Sequence, residues 1–466
     1  MPLANILHNL PEVKSPIEKK LGFNVKLKWT LIILAAFFIL ANLPLFGLAT
    51  NALARFEYVA IILGTDFGSI ISLGIGPIVM ASIILQLLVG SKILNIDLTN
   101  EDGKKYFQSL QKLMVFFFIL FEALVYVIMQ GLAPDPRLGA GFGPFILVFQ
   151  LILGGLAIFF MDEVVHKYGF GSGVSLFIVA GVGWRLFTGL FQFIGAQGGN
   201  CLADFYETAC SGKVLVLIQS LIKQSPVEAL SAFAIIVVTI FVFLLVVWAQ
   251  SLKVEVPLSF DRLRGYGLRW PLAFFYTSVI PVILTAALAA NFQLFAGLIE
   301  NWLGYATFLG TFSQGTAVSG LAFWIAPVDV VENLIRGSFQ GIFILKAITH
   351  VLFYVILSTV FAVFWVKTSG MDASSQAKNI ISSGLQIPGF RKDERVLESV
   401  LSRYVMPLTI MGGAAIGLLA ATANLLGALT SGTAILLAVM IIYQFYNSIA
   451  QQHALDMHPI LKKIAA

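Results

Sequence analysis

The sequence predicts an all-α polytopic membrane protein, with ten transmembrane helices in two inverted five-helix halves and a re-entrant half-helix. Three observations predict it. Of the 466 residues, 58% are hydrophobic and only 11% charged, against about 25% charged in soluble domains. Apolar runs of about 20 residues, the length that crosses a bilayer, recur along the whole chain. One apolar region, from Arg55 to Leu94, is broken by Gly64, Thr65, Asp66 and Gly68, then by Gly74, Gly76 and Pro77.

Residues 1–28 are polar and carry Lys14, Lys19, Lys20, Lys26 and Lys28. The apolar run that follows, Trp29 to Thr50, exceeds the 7–15 residues of a secretory signal core. It reads as a retained first span with a cytosolic amino terminus. The stretch NILHNL ahead of the lysines reads as an interfacial helix.

The broken region comes next. Its first piece is too short and too polar to span, whereas Gly74 to Leu94 is long enough. Irregular backbone at membrane depth is tolerated only where protein or a water-filled cavity covers it. The region therefore predicts a cavity at mid-membrane with something seated in it.

The ten expected spans are 29–49, 74–94, 112–132, 143–162, 172–195, 228–249, 271–296, 338–366, 405–427 and 431–451. With the amino terminus inside, the cytosolic segments hold 22 of the 29 Lys and Arg, which fixes orientation by the positive-inside rule. Two groups of five spans, residues 1–225 and 226–466, would insert in opposite directions, as inverted repeats do. Gly76-Pro77 and Ile280-Pro281 fall at matching places in the two halves, each inside an apolar helix.

Two cytosolic loops stand out, Ser251 to Trp270 and Lys367 to Tyr404, both basic. Positive-inside loops are basic in any case. The functional alternative is a docking surface for an anionic partner such as ribosomal RNA. On the other side, Cys201 and Cys210 lack the second pair of a structural zinc site. Nine residues apart and facing outside, they could form a disulfide.

Chemistry-bearing motifs are scarce. Glu163 and His166 have E-x-x-H spacing, but a metal site of that kind needs a second copy and further carboxylates. No H-E-x-x-H, G-x-S-x-G or Walker loop is present, so no catalysis, metal or cofactor is expected. Glu122 in the third span costs about 2.5–3.5 kcal/mol at membrane depth and wants a partner, for which Asn291 in the seventh is the candidate. Helix–helix hydrogen bonding accounts for such a pair equally well. Ile75 with Val79 and Val174 with Ile178 form apolar i, i+4 pairs, and Ile283 follows Ile280-Pro281. Such residues suit a helical core or a hydrophobic constriction that blocks ions by dewetting.

Several longer stretches carry a resemblance. SLGIGPIV (72–79), DEVVHKYGFGSGVSLFIVAG (162–181), VIPVILTAALAANFQLF (279–295), GFRKDER (389–395) and ANLLGALTSGTAILL (423–437) occur in that order. Together they resemble the SecY family, the large subunit of the protein-conducting translocon, in its archaeal type. The resemblance implies a plug at Arg55, Phe56, Glu57, Tyr58, Ile61, Ile62, Leu63, Gly64, Thr65, Asp66, Phe67, Gly68 and Ser69. It implies a pore ring of Ile75, Val79, Val174, Ile178, Ile283 and Leu437, and a lateral gate with Met80, Gln86, Glu122 and Asn291. Met80 stands where the family's polar gate cluster has a hydroxyl residue. Arg262, Arg264, Arg391, Lys392 and Arg395 match positions that meet the ribosome. The implied partners are the small SecE (gamma) and beta subunits, the ribosome and its RNA, signal sequences and nascent polypeptides, and the bilayer of the plasma membrane.

Two rival classes are weighed against a channel. A secondary transporter with a broken second helix would need polar groups converging on the break, where this chain offers Ile75 and Val79. An intramembrane hydrolase would need a nucleophile–base pair that the spans lack.

Overall fold

Proline places the starts of the two helices on which the bundle turns. Pro77 and Pro281 both occupy the first turn of an α-helix, where the missing N–H has no intrahelical partner to lose and φ is preset. The expectation of prolines inside longer helices is corrected accordingly. The second span is helical only over Gly76–Gly90, and the seventh only from Ile280.

The structure is a computed structural model. It describes residues 11–17, 21–94, 96, 101–139, 141–195, 199–201, 208–260, 267–277, 279–382, 385–386 and 394–457. The expected amino-terminal interfacial helix lies outside these residues.

In chain order the helices are α1 (Phe23–Ala41), α2 (Glu57–Ile62), α3 (Gly76–Gly90), α4 (Glu101–Ile128), α5 (Phe142–Tyr168), α6 (Gly173–Phe191) and α7 (Lys213–Ile222). There follow α8 (Pro226–Gln250), α9 (Ile280–Leu303), α10 (Gly320–Ile325), α11 (Val330–Ile335), α12 (Ile342–Thr368), α13 (Ala373–Ser382), α14 (Glu394–Leu425) and α15 (Gly432–Met457). Nine of the described helices are long and apolar enough to cross a membrane. The tenth expected span is α3, whose 15 residues rise only about 22 Å. The backbone before it, from Gly64 to Ile75, is not helical.

Helix α9 is the axis of the bundle. Its apolar window is 78% buried, whereas that of α1 is 11% buried. Small residues allow this: Ala286, Ala287, Ala289, Ala290 and Gly297 let neighbours approach from every side. Helix α8 instead exposes Phe233, Ile240, Phe241, Leu244 and Trp248, an outward face suited to lipid. Pro407 lies inside α14, where it removes one helical hydrogen bond.

Short strands tie the two ends. At the basic end, β3 (Lys253–Phe260) and β4 (Gly267–Ala273) form an antiparallel hairpin, and β7 (Leu385–Gln386) adds to β3. Residues of both loops singled out in the sequence thus meet in one sheet. Residues 271–273, expected to begin a span, belong to its strand β4. Tyr276 fastens this unit by donating to the Met371 carbonyl at 2.7 Å. Burial, with Asp372 nearby, pushes its hydroxyl pKa up to about 12.

At the far end, β1 (Leu48–Asn51) pairs with β2 (Leu132–Pro134). There too β5 (Thr311–Ser313) pairs with β6 (Thr316–Ser319). The latter turn uses Gln314 (φ 50°) and Gly315 (φ 81°), the two positive φ values of a tight type I′ hairpin. Between α6 and α7, Cys201 and Cys210 are joined in a disulfide with Cα atoms 5.3 Å apart.

Candidate functional site

The six residues expected to form a ring sit at helix starts around one apolar cluster. Ile75 caps α3 and Val79 lies one turn on. Val174 and Ile178 lie in the first two turns of α6, Ile283 in the first turn of α9, and Leu437 in the second turn of α15. All but Val174 are buried in the cluster, and Val174 packs against it half-buried. Helix α3 packs on α9, α9 on α15, and α15 on α6. The start of α6 is fixed from α5, where the Asp162 carboxylate accepts the Val174 amide at 2.9 Å. Gly173 makes that approach possible, because a Cβ there would fall 2.5 Å from the Asp162 Cα.

The segment 55–69 packs against α9 and α6, two of the helices that carry these residues. Helix α2 covers only six residues of it; Arg55 ends a 3-10 turn, Ser69 bridges to Pro44, and the remainder is turn and coil. Phe56 is buried against Gly297 of α9, and its ring meets that of Phe312 edge-on at 5.3 Å. Arg55 stacks over the Phe56 ring at 5.0 Å. Ile61, Ile62 and Leu63 are buried, and Gly64 passes over the Phe177–Ile178 backbone of α6. Thr65 donates to the Ile71 carbonyl at 2.6 Å, and Ser69 to the Asp66 carbonyl at 2.7 Å. Asn51 donates to the Phe67 carbonyl at 2.8 Å beside Gly68, whose φ is 100°. The Glu57 and Tyr58 side chains lie outside the described residues.

Above the segment opens a vestibule of about 570 Å³ lined by Ile61, Asp66, Arg185, Gln293, Asp329 and Lys346. Opposite charges therefore face one another across it. Burial, then the nearby Glu332, pushes the Asp329 carboxyl pKa up.

The side seam between α3, α4, α9 and α12 is shut. Gly90 of α3 lies against the Phe364 ring of α12, Phe121 of α4 lies 6.4 Å from Phe295 of α9, and the Thr285 and Ser358 hydroxyls are 3.2 Å apart. At its far end Asn301 donates to the Met129 and Gln130 carbonyls, each at 3.3 Å. Met80 packs half-buried against the core.

The expected Glu122–Asn291 pairing is not formed. Asn291 donates to the Ala287 carbonyl in its own helix, while its oxygen and both Glu122 carboxylate oxygens accept no hydrogen bond among the described residues. Glu122 instead abuts the start of α3, 3.1 Å from where a Gly76 Cβ would stand. The Tyr126 hydroxyl one turn away and the Gln86 side-chain oxygen also lack partners. Each unpaired buried polar group costs about 1–3 kcal/mol. A seam that is sterically closed is therefore polar and unsatisfied inside.

At the basic end Arg395 is exposed in the first turn of α14. Arg262, Arg264, Arg391 and Lys392 lie outside the described residues. Glu163 of the E-x-x-H spacing pairs with Lys112 at 2.7 Å and accepts the Val13 amide at 2.8 Å. That is structural bonding.

The SecY family model matches residues 69–446. A protein translocase subunit SecY from Methanothermobacter thermautotrophicus is 44% identical over 97% of this chain and 96% of its own. The chain belongs to the SecY family. Among solved structures it resembles a protein-conducting channel at 36% identity, with 98% of each chain covered and a TM-score of 0.81. It is similar, at the same identity and coverage with a TM-score of 0.79, to a SecY protein whose plug domain stabilises the closed state and maintains a membrane seal. It also resembles Sec61 of the canine ribosome–channel complex, at 36% identity over 98% of each chain and a TM-score of 0.77. The chain is a multi-span membrane channel that conducts protein, in a family of transporters.

Within that SecY frame, sequence reasoning missed three anchors of the 55–69 segment: Arg185, Asn51 and the β5–β6 hairpin. Arg185 was visible as a lone cation within an apolar span. Such a residue is a functional pointer by default, but its partner Asp66 lies 119 positions away. Gln314-Gly315 carried the only local signal for the hairpin.

Proposed function

We propose that Ile75, Val79, Val174, Ile178, Ile283 and Leu437 form the gasket of a passive polypeptide pore and that residues 55–69 are its plug. The observation that carries this reading is the packing of the 55–69 segment on α9 and α6 and the bond of the Leu63 carbonyl to the Ile75 amide, beside aliphatic residues near four helix starts. Aliphatic side chains offer a moving peptide no hydrogen bonds and close around it. Without polar groups the constriction dewets and denies ions passage.

The seam between α3 and α9, flanked by α4 and α12, is the lateral gate, with Met80, Gln86, Glu122 and Asn291 in or beside it. A signal sequence opens it by binding the parted helices better than the closed ones. The unpaired side-chain oxygens of Glu122, Asn291 and Gln86 lower the affinity difference the signal must supply, because parting the seam lets water reach them. Apolar segments of the passenger then leave sideways into lipid. No residue in this scheme performs catalysis, so the driving force comes from chain elongation or from folding beyond the membrane.

The basic end faces the cytosol, with both termini there, and the membrane is the plasma membrane. Residues 1–225 and 226–466 are the two inverted halves, a division favoured by the matching positions of Pro77 and Pro281. The basic hairpin and its β7 partner dock the ribosome through Arg262, Arg264, Arg391, Lys392 and Arg395. The likeness to ribosome-bound Sec61 supports this. SecE (gamma) and beta subunits complete the channel.

Ion conductance in planar bilayers tests the proposal. The intact channel stays shut, while deletion of residues 55–69 gives a large, weakly selective, flickering conductance. Silence from both forms, with uptake of a small solute against a gradient, would replace the pore with a transporter.

A further inference from the structure

We propose that Arg185 is an electrostatic catch that sets how readily the plug leaves its seat, an inference that rests on the plug reading above. Its guanidinium donates to Asp66 Oδ1 at 2.9 Å and to the Thr65 carbonyl at 3.4 Å. The cation comes from the wall helix α6 and both acceptors from the plug segment, so the contact exists only while the plug is seated.

Placement makes the contact a control point. Asp66 lies between Gly64 (φ 56°) and Gly68 (φ 100°), two left-handed positions where glycine moves most freely. Both lie in the link between the plug helix and α3. The described contacts of the plug with its surroundings are otherwise apolar packing and neutral hydrogen bonds such as that of Asn51 with the Phe67 carbonyl, which respond to salt less than an ion pair does. The Arg185 side chain is 19% exposed and that of Asp66 56%. Both line the open vestibule at the far end. Salt added on that side therefore reaches the pair, and the screening length falls from about 8 Å at physiological strength to about 3 Å at 1 M.

The test uses the assembled channel complex in planar bilayers, with the 55–69 deletion as reference. Arg185→Ala and Asp66→Asn each raise the closed channel's open probability about fivefold, the weight of one modest ion pair. The double exchange Asp66→Arg with Arg185→Asp restores closure, which a packing defect at either position would not do. Raising salt from 0.15 to 1 M on the far side alone opens the intact channel and leaves Arg185→Ala unchanged.

If the deletion conducts and Arg185→Ala stays as tight as the intact protein, the catch is wrong and the plug stands. An exchanged pair as leaky as the single variants also overturns the catch. A deletion that stays shut overturns both readings.

Discussion

The Ile75 amide donates to the Leu63 carbonyl at 3.0 Å, so the end of α2, in the proposed plug, is bonded directly to the first residue of the proposed ring. Gly74 makes that bond possible. Its φ is 55°, and a Cβ there would fall 2.4 Å from the Leu63 oxygen and 2.8 Å from the Thr65 Cβ. Gly74→Ala should push the plug off its seat and strain the turn by about 1–3 kcal/mol. Single-channel recording should show a leak in the resting state. A variant as tight as the parent would mean that the plug adapts.

The unpaired Glu122 makes an opposite prediction for the gate. Glu122→Met replaces a buried carboxylate that accepts no hydrogen bond with an apolar chain of similar length. The closed seam gains about 1–3 kcal/mol. Passengers with weak signal sequences should then cross about tenfold more slowly, while strong signals change little. Reconstituted translocation with a graded set of signals measures this, and faster passage of the weak ones would contradict it.

Much of the architecture was legible from the residues. Nine spans follow from length and apolarity, and Ile75, Val79, Val174, Ile178 and Ile283 were legible as core-type aliphatic residues near helix starts, while their grouping with Leu437 as a ring rests on the family resemblance. Boundaries were less legible. Residues 271–273 are apolar enough to extend a span, yet they pair with β3 at the basic end. Hydropathy does not distinguish a buried strand from the end of a helix. Glu122 was recognised as costly, but its surroundings depend on Gly76, whose missing side chain leaves no hydropathy signal.

Residues 11–17 lie as a strap against α4 and α5, held through Glu12, Val13 and Lys14, and acid should release it. The hydrogen bond from Lys112 to Glu12 at 2.7 Å, with Lys167 nearby, holds the Glu12 carboxyl below its ordinary value of 4.5. A depressed carboxyl contributes stability above its unfolded pKa and loses it as pH falls through the folded one. The strap should therefore stay docked at neutral pH and become open to proteolysis only below about pH 4.5. Lys112→Met should make it cleavable at pH 7. Equal protection of parent and variant would show that Lys167 and Tyr168, which also hold the strap's backbone, suffice.

The disulfide should matter for stability and not for sealing. It bridges cysteines nine residues apart, and Gln219 of α7 secures the same loop by accepting the Cys210 amide and donating to the Thr208 carbonyl. Losing such a crosslink costs about 2–4 kcal/mol. Cys201→Ala with Cys210→Ala should lower the melting temperature of the complex while resting conductance stays unchanged. A leak in that variant would tie the loop to the pore.

The most direct test of the central claim is to ask what a translocating chain touches. A photo-crosslinker would be placed at Ile178 or Ile283 in the ring, or at lipid-facing Phe241, in channels holding a stalled secretory passenger. The account predicts strong adducts from the two ring positions and none from Phe241. Adducts from Phe241 with none from the ring would mean that the polypeptide passes elsewhere and that the aliphatic cluster is only core.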